Sequence, residues 1–477
     1  MMPKRLVVLA LLFAACGDDG AAYTVEKLMD PATCMECHPK HHEQWAASMH
    51  AYASDDPVFV AMNKRGQRET NGELGTFCLQ CHAPMAVASG TITAANAADF
   101  DPASLAPTER GITCYFCHNV DKIVADHNNG LVLANDQTMR GGLKNPVGNK
   151  AHHAKYDPLM DSDANESEMC GSCHDVTTPK GVELERSFKE WKTTFFATNK
   201  DPTHHFTCAS CHMKSKTDVV ADGPGLDVPQ RAAGYHEHLW PAIDEALIPW
   251  PGMDVMAAGI KRDLDPAIAV TGPAPRVTGD PTPGGICVLP NGSITVRVDS
   301  IGTGHNWPSG AAHDRRAWLE VIAYRADNSI FFQSGVVPDG MDPEEINDPN
   351  LFGLWDRAFK EDGSPAHFFW DVATEQPFTL AGPTTLVQTD PAFDHSRTAT
   401  YGNLANVSEI DHITVRMRIR GLPFGALDEL VASGDLSGAI AAQLETLEIK
   451  GTTRHWDRAS SGTGAATGTP CSPFSTY

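Results

Sequence analysis

The sequence predicts a multidomain α+β protein, in which short helices and loops with little regular structure precede a C-terminal, antiparallel, β-sandwich-like domain. Two observations support this fold class. Over residues 34–245, short helix-like stretches alternate with loops rich in Gly, Pro, Asn and Asp. From about residue 285, apolar residues recur with a period of two, which is typical of strands with one buried face. The length of 477 residues leaves room for two domains.

The N-terminus has the pattern of an export signal. Two basic residues precede the apolar run LVVLALLFAA, which is too short to span a bilayer and ends just before Cys16. The segment LFAAC resembles the lipobox of bacterial lipoproteins, although Phe13 replaces the usual branched aliphatic residue, and ordinary signal cleavage is the alternative. We expect residues 1–15 to be a lipoprotein-type signal peptide, Cys16 to be lipidated, and residues 16–33 to be a linker.

Charge and hydropathy limit the classes of partner. The formal net charge is −23, so nucleic acid is not expected as a partner. No later apolar run is long enough for a membrane-spanning helix. We expect an exported bacterial protein, either periplasmic or a lipoprotein of the outer membrane or cell surface, that reaches the membrane through its lipid anchor.

A CxxCH motif occurs five times and contains ten of the 13 cysteines. Within a helical turn, residues i and i+3 share one face, so both thiols can bond the vinyl groups of one porphyrin while the next histidine faces its iron. The motifs therefore predict five covalently bound c-type haems, in a pentahaem domain over residues 34–245. The predicted thioether cysteines and proximal histidines are Cys34, Cys37 and His38, Cys78, Cys81 and His82, Cys114, Cys117 and His118, Cys170, Cys173 and His174, and Cys208, Cys211 and His212.

Other uses of CxxC explain the sequence less well. Zinc sites pair two CxxC motifs or add distant histidines, and they do not require a histidine directly after every motif. Disulfides suit an exported protein but leave the histidines unexplained, and thioredoxin-like enzymes need one motif only. A zinc-stabilised binding module remains the alternative if the motifs carry no haem.

Four stretches carry a family resemblance: CMECHPKHHEQWAASMHAYA, GITCYFCH, CGSCHDVTTPKGVELERSFKEWK and CASCHM. They resemble the multihaem c-type cytochromes related to hydroxylamine oxidoreductase and to the tetrahaem electron carrier of nitrifying bacteria, from about Cys34 to Met213. In that family the histidine of the QWxxSxH stretch is a distal haem ligand, which implies this role for His50.

The resemblance also suggests further distal ligands. It implies one distal histidine before the fourth motif, where we prefer His153 to its neighbour His152. It implies another after the last motif, where we prefer His238 to His236. GTGHNWPSG is similar to an element of multihaem cytochromes with a C-terminal β-domain, so His305 is a candidate. The remaining candidates are His127, which we prefer, and its rivals His204 and His205, with the thioethers of Met49, Met169 and Met213 as alternatives.

The abundance of histidine suggests that every iron can have two axial ligands. Relatives that oxidise hydroxylamine or reduce nitrite have more haems and an open one, in some cases with a CxxCK motif, and this sequence has no CxxCK. We therefore expect an electron carrier rather than an enzyme, with stacked, mainly bis-histidine haems passing electrons between other redox proteins of the cell envelope. The alternative is a multihaem oxidoreductase acting on a small nitrogen or sulfur compound at one five-coordinate haem. An oligomer or filament is compatible with the sequence but not indicated by it.

The C-terminal half predicts strands. Residues 246–284 are expected to be a Pro/Gly-rich linker, residues 285–457 the β-sandwich-like domain and residues 458–477 a flexible tail. SITVRVDS and HITVRMRIR alternate apolar and polar residues, and RAWLEVIAYRADNSIFFQSG predicts two strands with a turn at Asp-Asn-Ser. PFGALDELVASG predicts a short helix that ends at Gly434. Cys287 and Cys471 are left over and could form a disulfide.

Overall fold

A computed structural model gives the arrangement of these elements. It describes residues 23–461 except 148–150, 162–164, 202, 224, 271–284, 290, 301, 388, 389, 391, 393 and 394. All 21 histidines and every CxxCH cysteine lie within the described residues. The predicted signal peptide, Cys16, Cys471 and most of the predicted tail lie outside them. No helix among the described residues is both long and apolar enough to cross a membrane.

Most helices are short. They are α1 (Val25–Met29), α2 (Pro31–Met35), α3 (Pro39–Ala47), α4 (Met49–Tyr52), α5 (Pro57–Glu69), α6 (Leu79–His82), α7 (Pro84–Ala88), α8 (Cys114–His118), α9 (Glu166–Gly171), α10 (Ser187–Lys192), α11 (Phe195–Thr198), α12 (Cys208–His212), α13 (Met253–Leu264), α14 (Phe424–Ala432), α15 (Gly438–Ala441) and α16 (Arg458–Ser461). Single 3-10 turns cover Ala97–Asp99, Pro102–Ser104, Pro158–Met160, Pro343–Glu345 and Val407–Glu409. Because isolated helices of this length are unstable in water, the N-terminal region depends on what its helices pack around.

Local capping explains where two of the CxxCH helices begin. The hydroxyl of Thr113 accepts a hydrogen bond from the backbone N–H of Phe116, and α8 starts at the next residue after Thr113. Thr207 and Ser210 form a reciprocal capping box at the start of α12. Threonine at this position is favoured because its hydroxyl satisfies a backbone donor of the first turn. The residue before each of these motifs therefore fixes the helical turn that carries it.

The strands are mostly in the C-terminal half. They are β1 (Val120–Ile123), β2 (Leu131–Leu133), β3 (Thr138–Gly141), β4 (His153–Tyr156), β5 (Val176–Thr177), β6 (Glu183–Glu185), β7 (Ser215–Asp218), β8 (Arg231–His236), β9 (Ile268–Ala269), β10 (Ile286–Leu289), β11 (Ser293–Ser300), β12 (Arg316–Tyr324), β13 (Ile330–Ser334), β14 (Phe352–Leu354), β15 (Arg357–Phe359), β16 (Thr374–Gln376), β17 (Ser396–Tyr401), β18 (His412–Arg420) and β19 (Leu447–Asp457). The strands before residue 240 form two-stranded pairs, of which β3 and β4 are parallel.

Two larger sheets form the C-terminal region, and both are antiparallel. One has the order β10-β11-β17 with β9 also paired to β11, and the other has the order β13-β12-β18-β19 with β14 also paired to β12. Apolar side chains from both sheets, such as Val296, Leu319 and Val415, belong to one hydrophobic cluster. The predicted alternation is confirmed along β18, where Ile413, Val415 and Met417 are buried and Thr414 and Arg416 between them are more exposed.

The predicted turns of this region are also confirmed. β12 and β13 pair as a hairpin, and Asn328 adopts a φ of +62° in the turn between them, a conformation that asparagine tolerates better than most residues. Helix α14 ends just before Gly434, which has a φ of +76°. A glycine in this conformation is the usual end of a helix.

The predicted linker 246–284 contains structure that was not expected. Helix α13 occupies Met253–Leu264, and Met256, Ile260 and Leu264 are buried at a helical spacing of four residues. The Pro/Gly-rich composition of the flanking residues concealed this amphipathic pattern. Residues 271–284 lie outside the described part of the chain.

The N-terminal and C-terminal regions share their hydrophobic cores. Ala47 of α3 and Ile260 of α13 belong to the same cluster as the two large sheets. Val58 of α5 packs in a second cluster with Trp370 and with Leu427 of α14. The β-rich region therefore forms part of the wall around the N-terminal helices.

Candidate multihaem site

A single continuous cavity connects the five CxxCH motifs. Its volume is about 2240 Å³, and all ten motif cysteines and all five motif histidines line it. We number the motifs as sites 1 to 5 in chain order. A large, mostly apolar cavity between short helices suits porphyrins, whose burial supplies the apolar contacts that such helices lack. The residues present therefore fit five c-type haems.

Each motif has the one-turn geometry that the attachment requires. In sites 1, 2 and 4 the backbone N–H of the histidine donates a hydrogen bond to the backbone carbonyl of the first cysteine. The distances are 2.7 Å from His38 to Cys34, 3.2 Å from His82 to Cys78 and 3.0 Å from His174 to Cys170. Sites 3 and 5 lie entirely within α8 and α12. Both thiols and the imidazole of a motif thus come from one short turn.

The motif thiols match this attachment with one exception. Nine of the ten motif cysteines are free thiols, and Cys37 is disulfide-bonded. Thioether formation at site 1 requires the reduced thiol of Cys37. Among the described residues, Glu166, Cys170 and Cys208 are the only group of three or more metal-ligand side chains whose ligand atoms all lie within 4.8 Å of one another. This set contains no histidine and does not resemble a tetrahedral zinc site of two CxxC pairs.

Four proximal histidines face a second histidine across the cavity. The pairs are His38 with His152 at a ring-centroid distance of 6.3 Å and an interplanar angle of 31°, His118 with His238 at 6.1 Å and 17°, His174 with His50 at 6.1 Å and 61°, and His212 with His305 at 6.3 Å and 10°. With metal–nitrogen bonds of about 2.0 Å, two imidazoles bound on opposite sides of one metal have centroids roughly 6 Å apart. The four separations fit bis-histidine ligation.

Backbone carbonyls fix which ring nitrogen of these histidines is available. A carbonyl oxygen can only accept, so a ring Nδ1 beside it carries the proton and leaves the Nε2 lone pair free for a metal. Seven axial candidates have such a contact from Nδ1: His38 to Val220 at 2.6 Å, His82 to Ala53 at 3.2 Å, His118 to Arg140 at 2.6 Å, His152 to His153 at 3.4 Å, His212 to Pro241 at 3.2 Å, His238 to His236 at 2.8 Å and His305 to Asn306 at 2.7 Å.

Burial keeps these imidazoles neutral. Desolvation lowers the pKa of His50 to about 3 and that of His82 to about 4. It also lowers the pKa of His174, His212 and His305. A neutral imidazole is the form that ligates a metal, so the site needs little acid–base rearrangement to bind iron.

Site 2 differs from the other four. The ring of His82 stacks on Phe59 at a centroid distance of 3.9 Å and an interplanar angle of 2°. None of the histidines, all of which are described, makes a ring pair with His82 like those of the other four sites. The contact with Phe59 is on the face of the imidazole and supports the ring without occupying its Nε2 direction. Site 2 thus lacks the opposed histidine that the sequence led us to expect.

The structure distinguishes between rival ligand candidates. His152 lines the cavity, whereas the preferred His153 is exposed on strand β4. His152 lies just before β4, and His153 is its first residue. His238 faces His118, while its rival His236 also lines the cavity and has its Nδ1 3.0 Å from the carbonyl oxygen of Met213.

The three candidates for the last ligand lie away from the proximal histidines. His127 is 45% exposed and sits 3.2 Å from the carboxylate of Asp126. His204 is half exposed beside Asp201, and His205 contacts the edge of Trp191. None of the three lines the cavity. The thioethers of Met49, Met169 and Met213 do line it, without a contact that singles out one of them.

One half-buried histidine close to the predicted ligands was not singled out from the sequence. His41 stacks on Tyr235 at 4.3 Å and meets the edge of His238 at 4.7 Å. It also lies 6.0 Å from His38, but it follows His38 by one helical turn on the same chain segment. An iron bound by His38 needs its opposite ligand from a distant segment, which favours His152. Burial lowers the pKa of His41 to about 3.

Contacts between motifs show which sites are neighbours. The thiol of Cys34 in site 1 interacts with Cys114 in site 3, Cys81 in site 2 interacts with Cys173 in site 4, and Cys170 in site 4 interacts with Cys208 in site 5. The thiol of Cys117 in site 3 also raises the pKa of Cys173. The five sites therefore form one connected set, with site 4 adjoining sites 2, 3 and 5.

A hydrogen-bonded loop brings His305 from the β-rich region to site 5. The carboxylate of Glu190 on α10 accepts from the backbone N–H of Asn306 at 3.2 Å and from the Ser309 hydroxyl at 2.7 Å. The Ser187 and Ser309 hydroxyl oxygens lie 2.8 Å apart. These bonds hold the loop of His305 against the N-terminal region.

Charged and titratable side chains also line the cavity wall. Arg315 binds the carboxylate of Asp244 through both terminal nitrogens, at 2.7 and 2.9 Å. Burial raises the pKa of Glu185 to about 7, with Arg315 acting in the opposite direction, and burial raises the pKa of Asp56 to about 6. Carboxyls that titrate near neutral pH can hold or release protons beside the cofactor site.

Comparisons with known proteins agree with this site. Residues 33–119 match the model of the family described as cytochrome c554 and c-prime. The fold is similar to the crystal structure of a penta-heme cytochrome c552 from Thermochromatium tepidum, with a TM-score of 0.57 and 16% sequence identity over 91% of this chain and 98% of that one. No curated protein matches the sequence. The five motifs, the shared cavity and these two likenesses together support a multihaem c-type cytochrome with c-type haem as its cofactor.

Proposed function

We propose that this protein is an exported pentahaem c-type cytochrome that transfers electrons between redox proteins of the cell envelope. The observation that carries the proposal is the set of four histidine pairs across one cavity that all five CxxCH motifs line. Bound haem supplies a redox-active iron, and two axial histidines suit electron transfer because they leave no position for a substrate.

The proposed axial pairs are His38 with His152, His118 with His238, His174 with His50, and His212 with His305. The support is the same for each pair: a centroid separation of 6.1 to 6.3 Å and a place in the cavity lining. The proximal ligand of site 2 is His82, and its second position has no histidine in this proposal.

The contacts between motifs favour a branched electron path. Sites 1 and 3 adjoin through Cys34 and Cys114, and site 3 adjoins site 4. Site 4 then adjoins both site 2 and site 5. In this proposal the chain holds neighbouring sites in contact, so that site 4 links sites 2 and 5 to site 3, and site 3 links them to site 1.

The β-rich region has a role in this proposal beyond stability. Its two sheets share one apolar core, which supports a sandwich-like packing, and a loop between β11 and β12 supplies His305. The region thereby closes site 5. A predicted disulfide would tie the tail to this region: Cys287 is disulfide-bonded, while its predicted partner Cys471 lies outside the described residues.

The predicted export signal supports the proposed envelope location and membrane attachment through a lipidated Cys16. Changing Cys16 to Ser in the producing cell tests the anchor, because the protein should move from the membrane fraction to the soluble periplasmic fraction. A protein that is soluble with Cys16 intact would contradict lipidation while leaving the electron-transfer proposal unaffected.

A second candidate function is supported by site 2. Because His82 has no opposed histidine, an iron there can bind a small ligand, as in an oxidoreductase acting on a nitrogen or sulfur compound. The structure offers Asp56, with its raised pKa, as a titratable group in the same cavity. This function predicts catalytic consumption of electrons when nitrite, hydroxylamine or sulfite is added to the reduced protein.

The experiment that separates the two functions starts from the fully reduced protein. Stopped-flow spectra record how quickly each small compound reoxidises it, with a redox protein or a soluble ferric complex as the comparison. Rapid reoxidation by the macromolecular acceptor alone supports the carrier. Multiple turnovers with one small compound in the presence of excess chemical reductant, abolished by carbon monoxide, would support the enzyme instead.

A further inference from the structure

One short segment contacts the axial histidines of three neighbouring sites. The indole of Trp240 lies 4.6 Å from the ring of His50 in site 4 and 5.1 Å from the ring of His238 in site 3, with interplanar angles of 71° and 69°. The next residue, Pro241, accepts a hydrogen bond from Nδ1 of His212 in site 5. Among the described tryptophans, Trp240 is the one that contacts axial histidines of two different sites.

The backbone of this segment is held in a conformation that its residue types do not prefer. Trp240 has a φ of +46°, and a bulky residue keeps a positive φ only where its surroundings fix it. Leu239 is buried in the main core. A Cβ added to Gly259 of α13 would lie 2.8 Å from a methyl carbon of Leu239 and 3.3 Å from Cβ of Pro241. The helix therefore packs directly on the segment and fixes the place of Trp240.

His50 depends on this contact more than the other distal histidines do. His152, His238 and His305 are each oriented by a hydrogen bond from Nδ1 to a carbonyl oxygen. The imidazole of His50 makes no hydrogen bond to a described residue, so packing determines its rotation about the metal–nitrogen direction. It is also the ring that is most steeply inclined to its proximal partner, at 61°.

We propose that Trp240 is a positioning residue that sets the orientation of the His50 ring against His174 and supports His238 in its nearly parallel arrangement with His118. The inference rests on the proposed bis-histidine sites. The angle between two axial imidazole planes controls the splitting of the iron d orbitals, and with it the reduction potential of the site. Trp240 would thus tune two adjoining steps of the electron path from one place.

Electron paramagnetic resonance of the ferric protein tests this directly. Steeply inclined imidazole planes give a highly anisotropic low-spin signal, whereas nearly parallel planes give a rhombic one. The untouched protein should show one strongly anisotropic low-spin centre, from site 4, beside rhombic centres from sites 1, 3 and 5. In Trp240→Leu the anisotropic signal should be lost or shifted, and the reduction potentials of two haems should change together.

Matched variants distinguish a positioning role of Trp240 from a general loss of packing around the haem sites. Trp250 is a nearby tryptophan whose ring contacts Tyr52 and whose indole N–H donates a hydrogen bond to the carbonyl of Ala46. It makes no ring contact with an axial histidine among the described residues. Trp250→Leu should leave the anisotropic signal unchanged, and Trp240→Phe, which keeps an aromatic edge, should restore part of it. If Trp240→Leu does not bind its full complement of haem, Gly259→Ala carries the test, since it displaces the same segment and keeps the indole.

The outcomes distinguish this inference from the proposed function. A wild-type spectrum without low-spin bis-histidine signals would contradict the proposed sites themselves. A wild-type spectrum with those signals, unchanged in both Trp240→Leu and Gly259→Ala, would overturn the role of Trp240 alone. Equal changes in Trp240→Leu and Trp250→Leu would also overturn it.

Discussion

The imidazole rings of His212 and His305 lie 6.3 Å apart and within 10° of parallel, although one belongs to the last CxxCH motif and the other to the β-rich region. This relationship joins the two halves of the chain at a single site. The β-rich region therefore cannot be removed without opening that site, and the N-terminal region is not expected to form a complete multihaem unit alone.

The first prediction concerns the pairing of His305 with His212. Replacing His305 by Ala should leave site 5 with one axial histidine, so the reduced protein should bind one more equivalent of carbon monoxide than the wild type. His127→Ala is the control, because His127 is exposed and lies outside the cavity. An unchanged carbon monoxide titre in His305→Ala would show that His305 does not ligate iron.

The second prediction separates two adjacent histidines. His152 lies 6.3 Å from His38 and lines the cavity, whereas His153 is exposed on β4. We expect His152→Ala to raise the carbon monoxide titre by one equivalent and His153→Ala to leave it unchanged. The reverse result would support His153, the residue that the sequence favoured.

The third prediction concerns the loop that carries His305. Glu190→Ala removes the two hydrogen bonds that its half-buried carboxylate accepts from Asn306 and Ser309. We expect the free energy of unfolding to fall by about 1–3 kcal/mol and carbon monoxide to bind partially at site 5. Glu190→Gln keeps one acceptor oxygen, so its free energy of unfolding should fall by less than that of Glu190→Ala. Equal stability of wild type and Glu190→Ala in urea would argue against this loop contact.

The fourth prediction is a pH dependence of stability. Burial raises the pKa of Glu185 to about 7 from its ordinary value of 4.5. Between these values the folded protein holds a proton that the unfolded chain has lost, so this group makes stability fall as pH rises through that range. Glu185→Gln cannot ionise, and we expect it to resist urea better than the wild type at pH of about 8 and equally at pH of about 4.5. If the wild type resisted urea better than Glu185→Gln at the higher pH, the raised pKa of Glu185 would be contradicted.

Local features of the sequence were predicted well, because their physical causes are local. The CxxCH spacing needs only one helical turn, and the alternation along β18 needs only a sheet with one buried face. Helix α13 was missed although Met256, Ile260 and Leu264 have a helical spacing, because proline and glycine near it indicated a linker. Its pattern could have been found by testing that spacing directly.

The distal ligands could be nominated from the sequence but not assigned. His152 and His153 are neighbours in the chain, and only the fold places the first in the cavity lining and leaves the second exposed at the start of β4. Nor does the number of histidines give the number of closed sites: several of the 21 are exposed or packed against aromatic rings, while His82 has Phe59 beside it. Which histidine reaches which iron is a tertiary property.

The central claim is that the chain binds five haems, closes four of them with a second histidine and leaves site 2 open. A pyridine haemochrome assay and a carbon monoxide titration of the same fully reduced sample test it most directly. The account predicts five haems and one equivalent of carbon monoxide per protein. Two or more equivalents would contradict the histidine pairs, and none would contradict the open site at His82.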